Sequence, residues 1–214
     1  MSFIIKICGL KTPETLEAAI AAGADWVGFV FFAKSPRNVS LDEAEALGQI
    51  VGSRAKKVVL SVDADDAALA DIEKALKPDF HQLHGHETPE RVAAIRAKFG
   101  RPVIKAIGIA EAADLETARD YETATDWLLL DAKPPKNATL PGGNGLTFDW
   151  QLLAGLDLEK PFMVSGGLDP SNVGEAFAIS HPAGVDVSSG VETAPGVKDP
   201  AKIRAFIEVA RRAS

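Results

Sequence analysis

The sequence predicts an α/β protein folded as a closed (βα)8 TIM barrel, a single compact domain over residues 1–214. Two observations carry this. Short β-branched or apolar runs alternate with longer stretches of helical period from one end of the chain to the other, which is the βαβ signature. The runs number eight, so 214 residues leave about 27 per unit, a little below the roughly 250-residue total usual for this barrel. A doubly wound open sheet is the alternative, but it usually has five or six strands and leaves fewer repeats to explain.

The strands are predicted over 3–8, 26–31, 57–62, 80–83, 103–107, 127–131, 162–165 and 185–188. Between them, 12–22, 41–51, 66–76 and 89–99 have the clearest amphipathic spacing, and 200–212 closes the chain. Ser40 stands before Leu41-Asp42-Glu43 and Thr88 before Pro89-Glu90, both start signals for helices. Gly23 and Gly100 suit helix ends.

Composition excludes several classes. With 46% hydrophobic and 25% charged residues the chain can fill a core. Met1-Ser2-Phe3-Ile4-Ile5-Lys6 carries too short an apolar stretch for a signal peptide, and no run is long enough to span a bilayer. The mature protein is expected to start near Met1. Cys8 is the single cysteine, so no intramolecular disulfide or cysteine cage can form, and a cytoplasmic location fits best. A net charge of -7 argues against nucleic-acid or anionic-membrane partners. Any phosphate must be gripped locally.

In either architecture ligands bind beyond the carboxyl ends of the strands. Residues in that register are Cys8-Gly9, Phe32 to Arg37, Asp63, His84-Gly85, Gly108, Asp131, Ser165-Gly166-Gly167 and Ser188-Ser189-Gly190. The last two groups are matched small-residue turns after strands 7 and 8. Glycine lets the backbone approach an anion, and freed N–H groups supply donors without lysine or arginine. A phosphate site at these two loops is frequent in this fold; tight turns with no ligand are the plain structural alternative.

Cysteine is more often a small buried hydrophobe than a catalyst. Cys8, however, ends its strand, and alternation aims its thiol into the barrel mouth, where a thiolate could act as base or nucleophile. Asp131 ends the apolar run Trp127-Leu128-Leu129-Leu130, where partial desolvation would keep its acid protonated for general-acid work. These roles need the Cys8 pKa shifted down and the Asp131 pKa shifted up. Arg37 sits in a polar, turn-rich loop and could grip a substrate carboxylate bidentately, against the alternative of a solvated arginine. His81, His84 and His86 are poorly spaced for a metal, since alternation puts His81 and His84 on opposite faces, so no metal is expected and His84 is read as a pocket wall. Lys105 inside its strand and Lys133 in a Pro-rich loop are not convincing Schiff-base candidates.

Taken together these motifs closely resemble the phosphoribosylanthranilate isomerase family of tryptophan biosynthesis. The match runs along nearly the whole chain, through Lys6-Ile7-Cys8-Gly9-Leu10, Gly28-Phe29-Val30-Phe31 with Ser35-Pro36-Arg37, Gln82-Leu83-His84-Gly85 and Leu130-Asp131-Ala132. It continues through Gly142-Gly143-Asn144-Gly145 with Phe148-Asp149-Trp150, Ser165-Gly166-Gly167-Leu168 and Asp186-Val187-Ser188-Ser189-Gly190-Val191-Glu192. Leu10, Asn38 and Asn144 are the departures from the pattern.

The resemblance implies an aldose-ketose isomerase that works without a cofactor, carrying out an Amadori rearrangement of N-(5-phosphoribosyl)anthranilate. It implies Asp131 as general acid and Cys8 as general base, Arg37 at the anthranilate carboxylate, and His84, Gly143 and Asp186 as further substrate contacts. Gly166, Gly167, Ser188, Ser189 and Gly190 fall at the phosphate, and the segment 142–145 becomes a mobile cover. The expected partner is a phosphorylated small molecule, and the expected state a monomer with a homodimer as the alternative. The rival readings are a histidine-pathway phosphosugar isomerase, disfavoured because Cys8 stands where that enzyme has aspartate, and a barrel that binds a phosphometabolite without turnover.

Overall fold

Eight parallel strands pair in chain order and close on themselves: β1 (Ile4–Cys8), β2 (Trp26–Phe31), β3 (Lys56–Ser61), β4 (Phe80–Leu83), β5 (Val103–Ile109), β6 (Trp127–Ala132), β7 (Phe162–Val164) and β8 (Gly184–Val187). The computed structural model describes residues 3–135 and 140–214. Met1 and Ser2, where the sequence reading starts the mature protein, lie outside them. Closure is made by β8 on β1, in register from Ile4 against Gly184 to Ile7 against Val187, and this excludes the open doubly wound sheet.

The helices are α1 (Pro13–Ala21), α2 (Leu41–Val51), α3 (Asp66–Leu76), α4 (Pro89–Phe99), α5 (Ala113–Asp120), α6 (Val173–Ser180) and α7 (Pro200–Ala213). Their starts follow the local chemistry read from the sequence. Ser40 forms a full capping box, accepting from the Glu43 N–H at 3.2 Å while Glu43 Oε2 accepts from the Ser40 N–H at 2.7 Å. Thr88 accepts from the Arg91 N–H, with Pro89 in the first turn.

Three features depart from the sequence expectation. The described residues between β6 and β7 hold no α-helix, only a short 3-10 turn, Trp150–Leu153. The strands β5 and β6 run on by two residues and one, so Gly108, expected just past its strand, lies inside β5 opposite Asp131. An antiparallel hairpin, β9 (Glu192–Ala194) with β10 (Val197–Lys198), precedes α7; two such short strands carry too little period-two signal to be seen in sequence.

Alternation sorts the strand residues into two cores. Ile5, Ile7, Val27, Phe29, Leu128 and Leu130 pack outward in the main cluster under the helices. Trp26, Val58, Ile104, Leu129 and Met163 form a second cluster with Ile4, Phe80 and Trp127, the inward set that floors the barrel. Trp26 stacks on Phe80 with centroids 4.3 Å apart and meets Trp127 edge-on at 5.1 Å. Above this floor the inward positions turn polar, ending in Cys8, His84, Asp131 and Asp186 at the mouth.

Outside the barrel wall, Lys105 and Glu87 form a buried ion pair at 2.7 Å, both side chains 2% exposed. Lys105 also donates to the Gly85 carbonyl at 2.7 Å, and Glu87 accepts from the backbone N–H groups of Asp63 and Gly85. One carboxylate thus ties the loops after β3 and β4 to β5. Lys105→Met strands that carboxylate without its counter-ion, so we expect a loss of about 3–5 kcal/mol of unfolding free energy in urea denaturation. A loss below about 1 kcal/mol, the surface-pair range, would contradict the pair's burial.

Candidate active site

The carboxyl ends of the strands surround one cleft enclosing about 780 Å³, its open mouth included. Its wall carries Cys8, Arg37, His84, Asp131, Asp186 and Ser188. Seven of the eight strands or the loops behind them contribute, which is how the barrel gathers residues far apart in sequence.

Cys8 is 3% exposed and pairs in register with Gly28 of β2. A Cβ on Gly28 would lie 2.9 Å from the sulfur, so that glycine makes room for the thiol. The next residue, Gly9, has φ +77°, a conformation that favours glycine. A side chain there would also strike the Arg37 Cδ, at 2.7 Å. The chain thus turns sharply after the thiol and lets Arg37 cross behind it.

The electrostatics of Cys8 correct the sequence expectation. Burial pushes the thiol up from its ordinary value, not down; Lys6 opposes the shift, Asp186 adds to it, and Lys198 again opposes it. Loss of water around the sulfur penalises the thiolate more than one partly neutralised lysine favours it.

Asp131 is 5% exposed and lines the same cleft from β6, separated from β1 by β7 and β8. Its Oδ1 accepts from the Ala132 N–H at 2.9 Å, and its Oδ2 lies 3.2 Å from His84 Nε2. His84 Nδ1 is 3.3 Å from the Gln82 amide nitrogen. The ring thus stands between the Gln82 side-chain amide and the Asp131 carboxylate. His81, three residues earlier, points the other way and meets Glu73 of α3 at 2.8 Å. Among the described residues no group of three metal-ligating side chains comes together.

Arg37 is not the solvated arginine that its loop composition allows. Asn38 Oδ1 accepts from the Phe32 N–H at 2.8 Å and ties off the loop, and Arg37 is 5% exposed. Its Nε and one terminal nitrogen donate to the two oxygens of Glu192 at 2.8 and 2.9 Å, a fork-on-fork pair. Lys198 donates to the same carboxylate at 2.8 Å and to the Ser188 carbonyl and hydroxyl at 2.9 and 3.1 Å. Two basic side chains thus share one carboxylate beside the turn after β8, and burial pushes the Lys198 ammonium down from its ordinary value while Glu192 opposes that shift.

The two glycine turns meet there. Gly166 and Gly167 have φ +87° and +60°, and their N–H groups find no backbone acceptor among the described residues. Ser188 and Ser189 line the cleft, and the Ser188 hydroxyl donates to the Cys8 carbonyl at 3.2 Å. Gly190 does not reach the cleft wall; a Cβ there would overlap the Leu168 carbonyl, so it serves to let the two turns pack.

Over the mouth lie Pro141, Gly142 and Gly143. A Cβ on Gly142 would stand 2.7 Å from Asp131 Oδ2, one on Gly143 2.6 Å from an Arg37 terminal nitrogen, and the Gly143 carbonyl accepts from Arg37 at 3.3 Å. The Gly142 Cβ position is also 2.8 Å from His84 Nε2, so the segment rests directly on three predicted site residues, Asp131, His84 and Arg37.

A family model described as N-(5'phosphoribosyl)anthranilate (PRA) isomerase matches residues 5–209. The chain belongs to the N-(5'-phosphoribosyl)anthranilate isomerase family. An isomerase of that name from Rhodopseudomonas palustris (strain BisB5) is 61% identical over 211 residues, covering 99% of this chain and 97% of the relative. The phosphoribosyl anthranilate isomerase of Thermotoga maritima superposes with a TM-score of 0.89 at 35% identity, covering 98% of this chain and 99% of that one. A phosphoribosyl anthranilate isomerase in complex with reduced 1-(o-carboxyphenylamino)-1-deoxyribulose 5-phosphate superposes at 0.86 with 33% identity, over 98% and 99%.

Within this isomerase frame, sequence reasoning missed two buried charges. Glu192 stood at the end of a quoted motif with no role attached. Lys198 had no signal at all, since its burial depends on the unforeseen hairpin. Lys105 and Lys133 are both engaged, the latter with Asp114 at 2.6 Å. No helix among the described residues is long and apolar enough to cross a membrane.

Proposed function

We propose that this chain converts N-(5-phosphoribosyl)anthranilate into 1-(2-carboxyphenylamino)-1-deoxyribulose 5-phosphate, a step of tryptophan biosynthesis, with Asp131 as general acid and Cys8 as general base. The observation that carries the reading is the placement of these two groups on separate walls of one cleft, β6 and β1, with the paired turns after β7 and β8 between them. Ring opening and enolisation act on different sugar atoms, so acid and base must stand apart.

Asp131 gives its proton to the ribose ring oxygen as the C1–O bond breaks and the anthranilate nitrogen lone pair forms the C1=N bond. Cys8 as thiolate then takes the C2 proton, and that electron pair moves to C1=C2 to leave an enolamine. A proton delivered to C1 and one lost from the C2 hydroxyl produce the ketone and restore both groups. C2 is oxidised and C1 reduced within the substrate, so no external oxidant or cofactor enters.

Arg37, already held by Glu192, turns its remaining N–H toward the anthranilate carboxylate; Gly143 closes over it and Asp186 and His84 meet the sugar. The N–H groups of Gly166 and Gly167, with Ser188 and Ser189, take the phosphate, and the Lys198 charge beneath Ser188 supports it. Gly190 contributes through the close packing of the two turns. Leu41, Leu146 and Val197 are the large exposed hydrophobics among the described residues and lie on separate segments, in keeping with a monomer.

The test is a continuous fluorescence assay for disappearance of phosphoribosylanthranilate with purified protein. Catalysed loss of signal is the expected result. A rate equal to that without protein would sink the reading and favour the barrel that binds without turnover.

A further inference from the structure

Lys6 and Cys8 are two residues apart on β1 and share its inward face. Lys6 lies deeper, its side chain 0% exposed, with its ammonium 2.8 Å from Asp186 Oδ1. The two are register partners on neighbouring strands. The other Asp186 oxygen faces the Ser165 hydroxyl at 3.5 Å, and Asp186 itself lines the cleft. An apolar pair would fill the barrel interior without the desolvation cost of two charges, and such replacements are often neutral or stabilising. A buried ammonium two residues before a cleft-lining cysteine, on the same inward face of β1, therefore calls for a use beyond packing.

We propose that Lys6 is a positioning residue for Cys8, its ammonium held by Asp186 on the inward face of β1 as the counter-ion of the Cys8 thiolate. This rests on the reading of Cys8 as general base. The groups facing the sulfur leave Lys6 as the principal candidate. Among the described residues, Gly28 of β2 leaves room for the sulfur, Asp186 of β8 acts on it as a charge, and the neutral Ser188 in the turn after β8 bonds the Cys8 carbonyl. Lys198 of β10 is already shared between Glu192 and Ser188, and Arg37 is committed to Glu192. Across the cleft stand His84 and Asp131, facing each other.

The titration directions agree with this geometry. Burial pushes the Cys8 thiol up, Lys6 is the strongest influence against that, and Asp186 reinforces it. Lys6 itself stays protonated: burial works against its charge, but Asp186 and Cys8 together outweigh that and push its pKa up. Substrate contact that draws Asp186 toward the sugar would free more of the Lys6 charge for the sulfur. Binding would then activate the base it is about to use.

Because Cys8 is the single thiol, its ionisation can be read without substrate, from the pH dependence of alkylation by iodoacetamide. Lys6→Met is expected to move the alkylation midpoint up by about one pH unit or more, and Asp186→Asn to move it down, the opposite signs following from opposite charges near one thiol. The double variant Lys6→Met/Asp186→Asn removes both charges and leaves none buried unpaired. It is expected to shift upward as well, because the lysine is the stronger influence, and it decides the matter if either single variant fails to fold. A midpoint for the double variant within about 0.3 units of the parent, well below the shifts a close charge produces, would overturn the proposal. So would equal shifts of the same sign in both single variants. The readout is independent of turnover, so an inactive parent enzyme would sink the isomerase reading while leaving this measurement to stand or fall by itself.

Discussion

Asp131→Asn is expected to lower kcat by about 10²–10⁴-fold with KM little changed. The substitution keeps the shape of the side chain and its acceptor oxygen, so the hydrogen bond from the Ala132 N–H and the packing of β6 survive. What is lost is the acidic proton. An alkoxide leaving from the ribose ring must be protonated as it forms, and a carboxamide does not supply that proton. A loss confined to kcat marks an interaction made in the transition state, whereas a rise in KM alone would mean that Asp131 only binds the sugar. His84, with Nε2 3.2 Å from Oδ2, sharpens the expectation: it stands beside the acid, where it can steady the carboxylate left after proton transfer.

The barrel was legible because its signals are local and repeated. Ser40 and Thr88 mark helix starts by side chains that bond three residues away, and the apolar runs need only be counted. Cys8, Asp131 and His84 were legible for a related reason: strand alternation and strand ends are enough to aim a side chain into the mouth of a barrel. Long-range electrostatics were not. Arg37 read as a loop residue because its partner, Glu192, is 155 residues away. Lys198 was invisible because only the β9–β10 hairpin turns it inward. The direction of the Cys8 shift was not legible for a physical reason too: alternation aims the thiol into the mouth but does not say how deeply it lies, and the Gly28 gap and the rest of the wall bury the sulfur.

That burial governs the second large effect. Cys8→Ala is expected to lower kcat by about 10²–10⁴-fold while the affinity for a non-reacting phosphorylated analogue, measured by calorimetry, stays close to that of the parent. The turns after β7 and β8 and Arg37, which the proposed function assigns to such a ligand, are groups the substitution does not touch, and the Cys8 carbonyl to which Ser188 donates is retained by alanine. Cys8→Ser separates chemistry from packing: serine nearly conserves the volume but ionises far less readily than a thiol, so it should be as inactive as alanine. In the proposed role Cys8 works as the thiolate, and burial raises the thiol pKa. Activity must therefore rise with pH as the proton is lost, and the rising limb of kcat/KM, which reports the free enzyme, is expected above the ordinary cysteine value of about 8.5. A pH-independent kcat/KM through that range, or a serine variant that turns over at the parental rate, would remove Cys8 from the role of base.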